Sequence, residues 1–184
     1  QARRWVDVLD AHFPDTEYGG YFFTPADGES LITRTRNATD NAVPSGNGTI
    51  VGVLARLWLS TGEDRYRDRA QSIIDTFAGE VARNFVAITS LMNNTDFFHS
   101  SLQVVIIGHR DDVETRSLVR TVQECPDPNC YVQVMAPGQK LPASHPAFGK
   151  ERVDGKPTAY VCRGPVCSLP VTEKSLLAER LVAA

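Results

Sequence analysis

Apolar residues recur at helical spacing in the first half of the chain. An opening helix is predicted by Trp5, Val8, Leu9, His12 and Phe13. A clearer helix is predicted to begin near Ser45, with one apolar face formed by Ile50, Val53, Leu54, Leu57 and Trp58. Gly62 suits a left-handed helix end, and Asp64 is expected to cap the next helix. That helix carries a stripe of Tyr66, Ala70, Ile73, Ile74, Phe77 and Val81, and a weaker helical pattern follows through Ile88, Leu91 and Met92.

An insert of different character separates the first two helices. The run Tyr21–Thr24 is typical of a strand, and Asp27-Gly28 is a common turn sequence. Leu31–Thr33 can return as a second strand, so a β-hairpin is predicted. The polar stretch from Arg34 to Asn47 is long enough for a binding loop.

Near residue 102 the apolar pattern changes to continuous runs. Val104–Ile107 and Tyr131–Met135 are typical of buried strands, with a helix expected from Asp111 or Asp112 between them. Strand, helix and strand of these lengths predict parallel pairing. A Pro- and Gly-rich loop, a strand at Ala159–Cys162 and a helix from Thr172 complete the pattern. We therefore expect a helical domain with a β-hairpin insert over residues 1–101 and a small α/β domain, containing a parallel βαβ unit, over residues 102–184.

Composition and charge narrow the function classes. The formal net charge of the 184 residues is −3 and basic residues form no patch, which argues against nucleic acid as a partner. No apolar run approaches the roughly 18 residues of a membrane span. We therefore expect no membrane partner and a cytoplasmic location. The sequence contains no motif that predicts a cofactor or a metal ion.

The four cysteines form two C-x4-C pairs, Cys125/Cys130 and Cys162/Cys167. A four-thiolate zinc site is the less favoured interpretation, because zinc knuckles usually have C-x2-C spacing. Disulfides require an oxidising compartment, so reduced thiols are the expected state. Arg163 lies beside Cys162 and would lower a thiol pKa if it lay close enough, which makes Cys162 and Cys167 redox candidates.

Three segments resemble a known family: residues 19–49, LQVVIIGHRDD at 102–112, and TAYVCRGPVCSLPVT at 158–172. They are similar to thioredoxin-domain-containing proteins related to the spermatogenesis-associated thioredoxin protein. The resemblance implies a C-terminal portion of a longer chain, in which a thioredoxin-like domain precedes a six-hairpin (α/α) toroid similar to the N-acylglucosamine 2-epimerases and to several glycosidases. It also implies that partners of this chain are the thioredoxin-like domain and the remaining toroid helices. Self-association is expected if those helices are missing.

Six residues of the insert are candidates for a sugar site: Tyr21, Asp27, Glu29, Arg34, Asp40 and Asn47. An aromatic ring stacks on the apolar face of a sugar, and polar groups take its hydroxyls. Asp27, Glu29 and Asp40 are the candidate acids and bases, while Tyr21, Arg34 and Asn47 are candidates for substrate binding. The resemblance places the segment from Asp40 to Asn47 at the mouth of the toroid.

Local structure offers an alternative for each of these residues. Asp27-Gly28 is equally typical of a simple turn, and Asp40 and Ser45 are both suited to capping a helix. Asn47 can bind loop backbone, and Arg34 can pair with Glu29 across the hairpin. A second hypothesis, in which the tail docks a thioredoxin-like domain and Cys162/Cys167 exchange disulfides, stands beside the carbohydrate hypothesis, and a third is a purely structural module.

Overall fold

The computed structural model describes residues 1–164 and 166–183, which divide into two compact units. The first unit comprises residues 1–58 and 63–98, and the second comprises residues 59–62 and 99–184. The helices of the first half are α1 (Ala2–His12), α2 (Gly46–Thr61), α3 (Asp64–Asn84) and α4 (Thr89–Ser100), with a single 3-10 turn at Phe85–Ile88 before α4.

The helices of the first unit form where the apolar stripes predict them. Val51, Leu54 and Ala55 of α2 are fully buried. The buried face of α3 consists of Tyr66, Ala70, Ile73 and Phe77, at the spacing of one helix face. Gly62 has a φ of +69°, which confirms its left-handed conformation after α2. Asp64 proves to be the first residue of α3 rather than its cap, because Glu63 occupies the N-cap position.

The predicted β-hairpin of the insert is wrong. Residues 22–44 contain no strand, and Tyr21 makes only an isolated bridge with Pro14. The amide of Phe23 donates to the carbonyl of Thr35 over 3.0 Å, so the two sides do touch once. Ile32, which was expected to lie in the return strand, is fully exposed. Asp27 lies in a turn, as its sequence predicts.

The second unit contains a four-stranded mixed sheet in the order β2-β1-β3-β4. Its elements are β1 (Leu102–Ile107), α5 (Val113–Gln123), β2 (Cys130–Met135), β3 (Thr158–Arg163), β4 (Val166–Cys167) and α6 (Lys174–Ala183). The predicted parallel pairing of β1 with β2 is confirmed. The added strands β3 and β4 run antiparallel to their neighbours.

All six residues of β1 are buried, as its continuous apolar run predicts. Leu102, Val104 and Ile106 face a core that contains Leu118 of α5 and Leu177 of α6. Val105 and Ile107 face a smaller cluster with Met135 and Ala147. The one polar residue of the strand, Gln103, donates from Nε2 to the carbonyl of Leu59 over 2.6 Å, so its buried amide is paired.

Candidate functional site

Asn47 is buried at the start of α2 and ties the irregular insert to that helix. Its Oδ1 accepts the amide of Tyr21 over 2.8 Å, and its Nδ2 donates to the carbonyl of Tyr21 over 2.9 Å. Nδ2 also donates to the carbonyl of Asn37 over 3.0 Å. The interpretation that Asn47 binds loop backbone is therefore confirmed, and its amide is fully engaged.

Asp40 joins the starts of two helices. Its Oδ1 accepts the amide of Ser45 over 2.9 Å and the hydroxyl of Ser90, and its Oδ2 accepts the amide of Ser90 over 2.7 Å. Ser45 in turn accepts the amide of Gly48 over 3.0 Å, which confirms that Ser45 caps α2. A carboxylate with these donors is suited to binding the exposed amides of α2 and α4.

The hydrogen bonds also explain the titration of Asp40. Burial by itself raises the pKa of this carboxyl, but the donors from Ser90 and Ser45 outweigh it and hold the pKa below its ordinary value of 3.8. Asp40 is therefore ionised at neutral pH, which suits a helix cap and does not suit a general acid.

Tyr21 and Arg34 are both held by neighbours within the first unit. The buried Tyr21 hydroxyl donates to Asp10 Oδ1 over 2.6 Å, and burial followed by this bond raises its pKa. Arg34 donates from Nη2 to the carbonyl of Thr24 over 2.6 Å and lies 4.2 Å from the ring centre of Phe22. The alternative in which Arg34 pairs with Glu29 is wrong, because Arg34 binds the carbonyl of Thr24 and the ring of Phe22 instead.

Asp27 and Glu29 are both exposed. Asp27 Oδ2 lies 2.9 Å from His12 Nδ1. This pair is solvated, with 42% of the His12 side chain and 64% of the Asp27 side chain exposed. Asp27 and Asp40 therefore have different partners, His12 for the first and Ser45 and Ser90 for the second.

A concave region of about 420 Å³ lies in the first unit and is mainly apolar. We call it the aromatic hollow, and its walls are Leu9, Phe13, Tyr21, Phe22, Phe23, Gly46, Asn47, Thr49, Ile50 and Val53. Of the six predicted site residues, only Tyr21 and Asn47 line it. The aromatic hollow is lined by four aromatic side chains, but the polar groups of Tyr21 and Asn47 already have partners.

A second concave region, of about 480 Å³, lies in the second unit where the parallel strands β1 and β2 end. Ligands often bind at the carboxyl ends of such strands. Lys150 lines this region, but its amine donates to the carbonyl of Pro146 over 2.7 Å. The cation is thus directed to backbone and away from a ligand.

Cys162 and Cys167 face each other across β3 and β4 and form a disulfide. The expectation of reduced thiols is wrong for this pair, because adjacent strands bring the two residues into direct register. The same bond removes two ligands from the zinc alternative, and no metal-binding cluster is found within residues 1–164 and 166–183. Cys162 is 4% exposed, whereas Cys167 is exposed at the surface.

Arg163, at the end of β3, binds a backbone carbonyl and a carboxylate. Its Nη1 donates to the carbonyl of Ser100 over 2.6 Å, and its Nη2 lies 3.6 Å from Asp127 Oδ2. Alternation along β3 turns Arg163 to the face opposite Cys162. The predicted lowering of the Cys162 thiol pKa by Arg163 stays a prediction, because Cys162 is bonded to Cys167 in this structure.

Sequence reasoning missed several residues that organise the first unit. Asp15 is buried and accepts the amides of Glu17 and Tyr18, each over 3.0 Å. Its second oxygen lies 2.6 Å from Arg36 Nε. The sequence Pro14-Asp15 before Gly19-Gly20 is a recognisable turn signal, but the distant partner Arg36 left no local pattern.

The described residues thus define an α+β protein with a helical unit and a mixed-sheet unit. In the second unit the disulfide Cys162–Cys167 joins the antiparallel strands β3 and β4, and we call these two strands the cystine hairpin. No family model matches the chain. The chain is 32% identical over 178 residues to human spermatogenesis-associated protein 20, and 29% identical to the rat and mouse proteins of the same name. Each match covers 94% of this chain and 22% of the relative, so the chain spans about a fifth of the relatives' length.

The chain is therefore related to spermatogenesis-associated protein 20, as the resemblance of the three segments predicts. Because the matches cover 94% of the chain, the relation extends over both units. Among the helices of the described residues, none has the length and apolar character needed to cross a membrane.

Proposed function

We propose that the second unit carries out thiol–disulfide exchange at Cys162–Cys167. The observation that carries the proposal is the asymmetry of this bond, with Cys167 exposed and Cys162 buried. A thiolate arriving from solvent reaches only the Cys167 sulfur. The resemblance favours a thioredoxin-like domain as the source of that thiolate.

The exchange is balanced as two steps. A partner thiolate attacks Cys167 Sγ, the bond to Cys162 breaks, and Cys162 Sγ leaves with the electron pair and takes a proton. A second partner thiolate then attacks the mixed disulfide and releases Cys167, so the partner is oxidised and the hairpin is reduced. Val166 and Leu169, which are 71% and 75% exposed, provide apolar contact for a protein partner beside Cys167.

The direction of attack gives the test. In Cys162→Ser, the exposed Cys167 should form a lasting mixed disulfide with oxidised glutathione, because the residue that would displace it is gone. In the matched Cys167→Ser variant, the buried Cys162 should react at least about tenfold more slowly. Peptide mapping after acid quenching and alkylation follows both reactions, because it distinguishes glutathione on Cys162 or Cys167 from glutathione on the free Cys125 and Cys130.

A second experiment measures the redox state of Cys162 and Cys167 in the wild-type chain, equilibrated in glutathione redox buffers. We expect Cys162 and Cys167 to open and close reversibly while the chain stays folded. A bond that opens only when the chain unfolds would identify a purely structural disulfide and overturn the proposal. Equal reaction of the two single variants would overturn the assigned direction of attack.

A second candidate function is carbohydrate binding in the aromatic hollow, with the helices of the first unit as part of an (α/α) toroid. Its support is a volume suited to a small ligand, lined by the aromatic side chains of Phe13, Tyr21 and Phe22. His12 precedes this aromatic segment in sequence and Asp27 follows it, and both side chains of the pair are solvated. The hollow would hold the apolar face of a sugar ring, with its hydroxyls toward water.

Calorimetric titration with methyl glycosides tests this candidate. Phe22→Ala should weaken binding about tenfold, which corresponds to the loss of one stacked ring. Phe85→Ala, at an exposed ring outside the hollow, should leave binding unchanged. The carbohydrate hypothesis fails if no glycoside binds saturably, or if Phe22→Ala and Phe85→Ala bind alike.

A further inference from the structure

A third concave region, of about 420 Å³, lies in the second unit and is bounded by α5 and the first residue of α6. We call it the basic hollow, and its described walls are Val113, Arg116, Ser117, Arg120, Thr121, Glu124 and Lys174. These walls hold three cations and one carboxylate, although the whole chain has a net charge of −3. Neither thiol–disulfide exchange nor carbohydrate binding uses these residues.

Helix geometry brings the two arginines of the basic hollow together. Arg116 and Arg120 lie four residues apart on α5, a spacing that makes side chains neighbours on a helix surface. Both are exposed. Like charges at this spacing repel each other and weaken a helix. Folding of α5 therefore does not account for this pair, and an anion that binds both arginines would.

The cations of the basic hollow have no acidic partner within the part of the chain that the structure describes. No salt bridge joins Arg116, Arg120 or Lys174 to a carboxylate there. Glu124 follows Arg120 by four residues, but the bond between them is a backbone one, from the Glu124 amide to the Arg120 carbonyl over 3.0 Å. Both guanidinium groups are therefore available to an anion from solvent.

The residue types of the basic hollow suit a phosphate group. An arginine presents a planar fork of N–H donors that matches two phosphate oxygens, and a lysine adds a point charge. A phosphate monoester carries a charge of about −1.5 to −2 at neutral pH. Two arginines and Lys174, offset by Glu124, leave a surplus of two positive charges, which matches a phosphate better than a single carboxylate.

A hydroxyl group adds a neutral donor on the same side of α5. Thr121 Oγ1 already donates to the carbonyl of Ser117 over 3.1 Å. The half-buried Ser117 hydroxyl makes no hydrogen bond to the described residues, so its proton is available to a phosphate oxygen. The volume of the basic hollow is that of a site for a small molecule.

We propose that the basic hollow binds a small soluble molecule through a phosphate group. Arg116 and Arg120 donate to the phosphate oxygens, Ser117 donates one further hydrogen bond, and Lys174 contributes charge. All four residues belong to the second unit, so this unit forms the site by itself. The inference depends neither on exchange at the disulfide nor on carbohydrate binding in the aromatic hollow.

Phenyl phosphate and benzoate form a matched pair of probes, because they share a ring and differ in the anionic group. We expect calorimetric titration of the wild-type chain, at neutral pH and constant ionic strength, to show saturable binding of phenyl phosphate with a Kd below about 1 mM. Benzoate should bind at least about tenfold more weakly. Absence of saturable phenyl phosphate binding, or equal binding of the two probes, would overturn the inference.

Two substitutions and a matched control locate the site. Arg116→Gln and Arg120→Gln should each weaken phenyl phosphate binding at least about tenfold, because each removes charge-assisted hydrogen bonds. Arg180→Gln, at an exposed arginine of α6 outside the described walls, should change the affinity less than about twofold. Arg116→Gln should not lower the free energy of unfolding, because it relieves repulsion on α5. Equal losses of affinity in Arg116→Gln and Arg180→Gln would indicate general charge attraction and overturn the assigned site.

Discussion

Replacing Asn47 by alanine is expected to lower the free energy of unfolding of the first unit by about 3 kcal/mol. The substitution removes the partners of the amide and carbonyl of Tyr21 and of the carbonyl of Asn37. Asn47 is 1% exposed, so water cannot readily replace the lost amide. Urea unfolding followed by tryptophan fluorescence measures the effect, since Trp5 and Trp58 both lie in the first unit.

Asn41→Ala provides the matched control, because Asn41 is exposed in the same irregular insert. We expect it to change the free energy of unfolding by less than about 0.5 kcal/mol. If Asn47→Ala left stability unchanged and instead weakened glycoside binding, Asn47 would be a ligand-binding residue, as the carbohydrate hypothesis assumes.

Asp40→Asn is expected to lower the free energy of unfolding by about 1 to 2 kcal/mol at neutral pH. The folded-state pKa of Asp40 lies below 3.8, so its ionised form stabilises the fold above that pH. This contribution is lost as pH falls through the folded pKa. The difference between wild type and variant should therefore shrink in acid, in urea titrations carried out from about pH 6 down to about pH 2.5.

Asp75→Asn serves as a comparison for that pH series, because Asp75 lies exposed on α3 and only accepts the amide of Gln71. The free energy of unfolding of Asp75→Asn should match that of the wild type at every pH of the series. A constant difference between wild type and Asp40→Asn at every pH would contradict the role assigned to the Asp40 charge.

Periodicity was a sufficient guide where a whole face is buried. The stripe from Tyr66 to Phe77 predicts α3, and the unbroken run in β1 predicts a strand covered on both sides. The prediction of a β-hairpin in the insert was wrong for a physical reason. Residues 21–24 have strand-like composition, but the backbone of Tyr21 is hydrogen-bonded to the side chain of Asn47, and the carbonyl of Thr24 accepts from Arg34. Side chains distant in sequence thus replaced the cross-strand bonds of a hairpin.

The sequence predicted the roles of only some residues of the candidate site. The capping role of Ser45 and the backbone role of Asn47 follow from residue type and position next to a helix start. The pairing of Asp27 with His12 does not follow from residue type, because it depends on the path of an irregular segment. Likewise, C-x4-C spacing identifies both cysteine pairs, but only the pairing of β3 with β4 distinguishes the closed pair from the open one.

The bond from Ser90 to Asp40 joins residues separated by 50 positions along the chain. Closing so long a segment costs chain entropy before the contact returns any energy. We therefore expect this contact to form after the folding transition state, when the helices that it joins have already met. An interaction of that kind prolongs the lifetime of the native state and has little influence on how fast the state is reached.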